Sequence, residues 1–393
     1  MKIVGGQTPR GKNFFQREKL MKLLYRRLST GSNIYMAAPR RVGKTAILRY
    51  LEDNPRDDYH AVYIVTESVD DTQTFFKTVL DELFKSEAIG KLKKLSNKSS
   101  EVLNSMLGRL KSLGGFGVNV ELEAAKTDFY AEYKTLVKKL DDTSGLKLII
   151  MLDEFPQTVE NILRKHGESE AIRFLQLNRE IRQEASANIA FMLTGSIGLP
   201  TLTEKLSATK TINDLNVFEV PPFERDEARE MTTLLLKSEK IPYEPQAIEY
   251  LLDKLSWLSP YFLQLLVQEF ADEYDIKGRT VTIAAVDEAF VHITDRRNDA
   301  NFAHYYERLR KTFLANELAF ALAFLNALSQ QEALALPEIK ALADSQQLAE
   351  QYPFVLRTLE FDGYVFKNQP ETGLRYCFTS PLVKLWWSKY VLR

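Results

Sequence analysis

The sequence predicts an α/β protein in which a parallel sheet core is followed by a helical lid domain and a carboxy-terminal winged helix. Three patterns point to this order. Short apolar runs alternate with helical patterns between residues 33 and 220. Nearly continuous helical periodicity then runs from 226 to about 314, interrupted by a turn at Gly278. Finally, three helical segments precede two short strands around Asp362-Gly363. The change of character at Pro221-Pro222-Phe223 sets the boundaries at an α/β domain over 1–222, a lid over 223–312 and a winged helix over 313–393.

The first element is a helix whose apolar face is Leu20, Leu23, Leu24 and Leu28, stopped near Ser29-Thr30-Gly31. The expected strands cover 33–37, 61–66, 146–152, 189–194 and 217–220, the alternation of a parallel sheet. An insertion over about 85–130 is helical and charged, with Lys91-Leu92-Lys93-Lys94 and then Gly114-Gly115-Phe116-Gly117 before alternating Val118, Val120 and Leu122. It is a candidate mobile segment; its lysines read as a solvated face, and its glycines lack the Lys-Ser/Thr pair of a phosphate loop. In the last domain the helices are expected at 317–328, 337–342 and 354–361 and the strands at 364–366 and 374–378.

Between the first strand and the next helix lies Ala38-Pro39-Arg40-Arg41-Val42-Gly43-Lys44-Thr45-Ala46. A strand, a glycine-bearing loop and a helix start make a phosphate-binding arrangement, with the positive helix end facing the anion. Gly43 lets the backbone approach a phosphate, Lys44 reaches the β- and γ-phosphates, and the Thr45 hydroxyl suits Mg²⁺. Such loops usually open with Gly where this chain has Ala38, a substitution that matters only if the position needs a left-handed backbone.

A phosphate loop hydrolyses its ligand only with a carboxylate for the cation and a group that activates water. The apolar strand Leu148-Ile149-Ile150-Met151-Leu152 delivers Asp153, expected to hold Mg²⁺ through water, and Glu154, expected to polarise the attacking water. The next strand ends in Thr194-Gly195-Ser196, at the sheet edge where ligands of open parallel sheets bind. Thr194 or Ser196 either reports the γ-phosphate or caps the turn.

The composition leaves several classes aside. With 393 residues, 45% hydrophobic and 27% charged, the chain has material for two or three domain cores. A net charge of −1 provides no global attraction to nucleic acid or anionic membrane. The single cysteine, Cys377, excludes an intrachain disulfide framework and is expected in the core between Tyr376 and Phe378. With no signal-like start, and a longest apolar helical stretch of only 318–328, a cytoplasmic location is expected. His60, His166, His292 and His304 have no Cys or His partner at ligand spacing, so no zinc site is expected.

Together these residues resemble the archaeal-ATPase branch of the STAND and origin-recognition group of P-loop, AAA+-related ATPases. Phe15-Gln16-Arg17-Glu18 resembles that group's amino-terminal box, and Pro39-Arg40-Arg41-Val42-Gly43-Lys44-Thr45 its phosphate loop. Asp153-Glu154 resembles its Walker B acids, Leu193-Thr194-Gly195-Ser196 its sensor segment, and Ser259-Pro260-Tyr261-Phe262-Leu263-Gln264 its lid motif without the usual preceding Gly. The resemblance implies an ASCE-type sheet, with the sensor strand between the phosphate-loop and Walker B strands. It further implies ATP and Mg²⁺ as cofactors, Arg17 and Pro260 beside the nucleotide, and a switch in which nucleotide state sets the relation of core, lid and winged helix. Assembly, with a protein partner or with further copies of the chain, is implied as well.

Transferring a phosphoryl group also calls for a cation. Arg40 and Arg41 lie in the loop, and Arg179 and Arg182 are candidates for contacting a neighbour, with solvated helix arginines as the alternative. DNA contact is a secondary reading. Across 350–362 Arg357 stands against Glu350, Glu360 and Asp362, leaving Lys367, Arg375, Lys384, Lys389 and Arg393 for the wing and tail. Two functions therefore stay open: a hydrolysing ATPase switch, and a nucleotide-stabilised DNA-binding or protein-interaction module with negligible turnover.

Overall fold

The computed structural model describes residues 1–4, 6–56, 59–95, 97–112, 128–141, 147–185, 188–369 and 373–392. The run 114–117 with Val118, Val120 and Leu122, and Arg393, lie outside the described residues. The chain divides into two compact units. A sheet unit comprises Gln16–Ala37 and Lys44–Val220, and a helical unit comprises Met1–Phe15, Ala38–Gly43 and Pro221–Arg393.

In the sheet unit, α1 (Glu18–Ser29) leads into β1 (Ile34–Ala37), and α2 (Lys44–Asp53) into β2 (Tyr59–Val65). Helices α3 (Thr72–Lys85), α4 (Glu87–Leu95), α5 (Asn97–Ser112) and α6 (Phe129–Asp141) precede β3 (Lys147–Asp153). Then come α7 (Phe155–His166), α8 (Glu168–Glu184), β4 (Ile189–Thr194), α9 (Leu199–Lys205) and β5 (Asn216–Glu219). The five strands lie in the order β2-β3-β4-β1-β5 and every pairing is parallel. The strand carrying Thr194 thus separates the strand leading into the phosphate loop from the one ending at Asp153, as an ASCE-type sheet requires. Continuous apolar sequence explains the interior: β4 is buried throughout and β3 from Leu148 on. At the edge, β5 exposes Val217. Helices cover the sheet through an aromatic cluster in which Phe174 lies 4.8 Å from Phe75 and 5.5 Å from Phe155, ring centre to ring centre.

Arg182 departs from its expected place at a neighbour's surface. Its guanidinium is buried and forks onto Asp214 at 2.7 and 3.0 Å, while also donating to the Thr211 carbonyl. A chelated, buried arginine is an internal brace and not a group offered to another subunit. Neither a contact residue nor a solvated one, it was hidden by its place on an amphipathic helix.

The helical unit contains α10 (Arg225–Ser238), α11 (Pro245–Leu255), α12 (Pro260–Lys277), α13 (Ile283–Ile293) and α14 (Ala303–Thr312). The winged helix follows as α15 (Ala315–Ser329), β6 (Leu334–Ala335), α16 (Leu336–Ser345), α17 (Tyr352–Phe361), β7 (Val365–Asn368), β8 (Arg375–Phe378) and α18 (Pro381–Tyr390). Two features go beyond the sequence expectation. β6 adds a third strand to the hairpin, giving the antiparallel order β6-β8-β7, and α18 closes the domain. A two-residue strand carries no period to read, and it exists because β8 offers it a partner. Phe302 stacks between Phe262 of α12 and Trp386 of α18, at 5.9 Å from each.

Cys377 is half-buried, whereas Tyr376 and Phe378 are buried, because successive strand residues face opposite ways. Its expected core position is corrected accordingly. Asp362, counted above as an acid on the candidate reading helix, is instead buried and accepts a two-pronged bond from Arg308 at 2.7 and 2.8 Å. Removing one partner of a buried pair strands the other charge, so Asp362→Ala is expected to destabilise this unit by about 3–5 kcal/mol. The check is the urea midpoint, and an unchanged midpoint would show that the pair carries no net weight.

Candidate active site

In the sheet unit, β3 delivers Asp153 to a buried position at its carboxyl end. Oδ2 accepts from the Thr45 hydroxyl at 3.0 Å and from the Tyr63 hydroxyl at 2.7 Å, and Oδ1 accepts from the Glu154 backbone N–H at 3.1 Å. The strand end is pinned as well, since Thr66 donates to the Asp153 carbonyl from both its N–H and its hydroxyl, at 3.0 and 3.1 Å. Burial raises the Asp153 carboxyl above its ordinary value, and the Tyr63 hydroxyl acts in the opposite direction.

Lys44 and Thr45 open α2, with Lys44 buried and close enough for its charge to favour ionised Asp153. Ala46 is buried in the same first turn. Arg17, from the amino-terminal box, is buried at the position preceding α1. A threonine hydroxyl donating to a buried carboxylate keeps its own lone pairs for a cation. Hydroxyl and carboxylate oxygens are the hard donors Mg²⁺ takes, so these residues fit that ion.

Glu154 follows with left-handed backbone (φ 58) and caps α7 without a side-chain bond to it. Its Oε2 instead accepts from the backbone N–H and the hydroxyl of Ser196, at 2.8 and 2.9 Å. Ser196 therefore orients the carboxylate. Thr194 is fully buried, with its hydroxyl directed at the Met36 carbonyl 3.5 Å away. Between them, Gly195 has no room for a side chain, because a Cβ there would lie 2.6 Å from Pro156 Cδ.

The helical unit holds the preceding loop residues, Ala38 to Gly43. The left-handed positions of this loop are Arg41 (φ 69) and Gly43 (φ 98), so Ala38 is spared the conformation that would penalise its methyl group. Val42 is buried. The Ser259 hydroxyl donates to the Arg41 carbonyl at 2.6 Å, and the Arg41 guanidinium lies 4.0 Å from the Tyr261 ring centre. A Cβ on Gly43 would lie 3.9 Å from Pro260 Cγ, so Pro260, first residue of α12, packs beside the loop. On the winged-helix side, Gly363 (φ 78) approaches Pro39 so closely that a Cβ would sit 2.5 Å from the proline Cβ. Arg40 and Arg41 also act on His304, whose imidazole is pushed down to about 3, chiefly by burial. Neither of its ring nitrogens has a hydrogen-bond partner among the described residues.

Of the residues singled out in the sequence, Thr45, Asp153, Glu154 and Ser196 are linked directly, while Thr194 faces a neighbouring strand. Tyr63, the Ser259 hydroxyl and Gly363 went unmarked. Tyr63 lies inside an apolar run with no local cue, whereas Ser259 stood within the lid motif. Elsewhere in the helical unit, Glu269, Glu273 and His292 come together, with His292 Nδ1 3.0 Å from Glu269. Glu273 is already paired with Lys277 at 2.8 Å and Arg279 at 3.4 Å, which makes this grouping an ion-pair network.

No protein-family model and no curated protein sequence matches the chain. Among solved structures it is similar to the Walker-type ATPase paby2304 of Pyrococcus abyssi, at 17% identity and a TM-score of 0.61, over 98% of this chain and 99% of that one. It is also similar to the ORC2 protein of Aeropyrum pernix in its ADPNP-ADP complexes, at 15% identity and a TM-score of 0.58, over 98% and 96%. Agreement at this level over nearly whole chains concerns the backbone path, and the chain accordingly has the fold of the origin-recognition-like P-loop ATPases.

Proposed function

We propose that the chain is a Mg²⁺-dependent ATPase that works as a nucleotide switch. The observation that carries this reading is the Thr45–Asp153 hydrogen bond beside a Glu154 oriented by Ser196. Lys44 neutralises phosphate charge, Gly43 and the opening turn of α2 offer backbone N–H groups, and Arg40 and Arg41 add positive charge along the loop. Bound Mg²⁺ would be held by Thr45 and Asp153 and would supply charge neutralisation to the β- and γ-phosphates. Glu154 takes a proton from water as the water oxygen bonds to the γ-phosphorus. The bond to the bridging oxygen breaks, leaving ADP and phosphate. Ser196 holds the Glu154 carboxylate for this step, a more specific role than capping the turn, and Thr194 braces the strand pair. Similarity to a Walker-type ATPase and to the ORC2 protein in its ADPNP-ADP complexes supports an adenine nucleotide.

The three-domain division at 222 and 312 belongs to this reading. Contacts of Ser259 and Pro260 with Arg41 and Gly43, and of Gly363 with Pro39, support a switch, because lid and winged helix each touch loop residues whose conformation a phosphate would alter. Several candidate DNA contacts are engaged internally. Lys367 pairs with Glu360 at 2.6 Å, Lys384 donates to the Gln331 carbonyl at 2.6 Å, and Lys389 donates to the Thr294 hydroxyl at 2.8 Å. A protein partner or a second copy of the chain suits this surface better than a phosphate backbone. Among the described residues no helix is long and apolar enough to cross a membrane, and a reducing, cytoplasmic setting suits the free Cys377.

The deciding experiment is Mg²⁺-dependent ATP turnover by the purified chain, with nucleotide affinity measured alongside. Turnover that disappears in EDTA is expected. Tight binding without turnover would favour a nucleotide-stabilised interaction module, and absence of binding would end both readings.

A further inference from the structure

A tyrosine hydroxyl buried against a buried carboxylate calls for a reason beyond packing, since phenylalanine would fill the same space without desolvating a polar group. Tyr63 is 8% exposed, and its hydroxyl donates to Asp153 Oδ2 at 2.7 Å, a shorter bond than those from the Thr45 hydroxyl and the Glu154 N–H. Its ring and backbone are also held. The Arg49 guanidinium lies 3.7 Å from the ring centre, Arg49 pairs with Glu52 at 2.8 Å, and the Tyr63 N–H donates to the other Glu52 oxygen at 3.3 Å. Arg49 and Glu52 belong to α2, the helix whose first two residues are Lys44 and Thr45. One helix thus supplies phosphate and cation ligands at its start and, near its other end, fixes the tyrosine that holds Asp153.

We propose that Tyr63 is the positioning residue for Asp153, anchored by Arg49 and Glu52 of α2, and that it sets how strongly the chain binds Mg²⁺ with its nucleotide. The inference rests on the ATPase reading above. Thr45 belongs to the cation's donor set, so its bond to Asp153 is tied to that site. Tyr63 lies outside the set and can hold the carboxylate whether or not the ion is present. Partners of this kind outside a metal's immediate ligands govern affinity because they fix ligand orientation and basicity.

The test is binding of a non-hydrolysable ATP analogue to the full chain, followed in EDTA and across a Mg²⁺ titration, for wild type and Tyr63→Phe. The variant keeps the ring on Arg49, and a thermal melt verifies its fold. Wild type should bind more tightly as Mg²⁺ is added. Tyr63→Phe should match it within about twofold in EDTA but need about tenfold more Mg²⁺ for half of the tightening. Identical Mg²⁺ curves for the two proteins would overturn the inference and leave the nucleotide site standing. An equal loss of affinity with and without Mg²⁺ would also overturn it, since that marks a purely structural role. A wild type that bound no analogue under any condition would bring down the inference together with the ATPase reading.

Discussion

Lys44→Ala is expected to weaken ATP binding by about 3 kcal/mol, roughly 100-fold in Kd, with the fold intact. The side chain is buried at the first position of α2, where a charge-assisted bond to phosphate is worth about twice a neutral one. The truncation leaves the backbone N–H groups of the helix start in place, so residual binding should persist. Because Lys44 also favours the ionised state of Asp153, its loss should raise the Mg²⁺ requirement as well. Calorimetric titration with ATP is the measurement. Affinity within a few-fold of wild type would remove Lys44 from the phosphate site and leave Arg40 and Arg41 as the loop's remaining positive charges.

Glu154→Gln separates binding from chemistry. Its amide oxygen can accept the same two bonds from Ser196, so the side chain should keep its place while losing the ability to take a proton. Turnover is expected to fall by a factor of about 10² to 10⁴, the range typical of a positioned general base, with ATP affinity within a few-fold of wild type. A parallel loss of affinity would point to disturbed structure around Pro156 and Gly195, where there is no room for a side chain on the glycine. Undiminished hydrolysis would assign the water-activating role to another group.

Much of the scaffold was legible because its signals are local and repetitive. Five apolar runs matched β1 to β5 within a residue or two, and the parallel order placed Thr194's strand between those of Ala37 and Asp153. The roles proposed for Lys44, Thr45, Asp153 and Glu154 rest on residue type and place, because phosphate and cation binding need specific charges at the ends of strands and the starts of helices. Burial state was less accessible. Arg182 and Asp362 read as surface charges until their partners, Asp214 and Arg308, came into view.

By itself, then, the sequence determined the alternation of elements and the placing of Lys44, Thr45, Asp153 and Glu154 at a helix start and a strand end, since each depends on neighbours only a few residues away in the chain. Tertiary structure alone decided which hydroxyls those acids would use. Tyr63 meets Asp153 across 90 positions and Ser196 meets Glu154 across 42. It also decided that Ser259 would tie down the Arg41 carbonyl 218 positions away, and that Gly363 would lie against Pro39. The physical reason is that a hydrogen bond or a close packing contact depends on distance in space. Hydrophobic period and turn chemistry, the quantities a sequence displays, say nothing about which distant side chains folding will bring within 3 Å of one another.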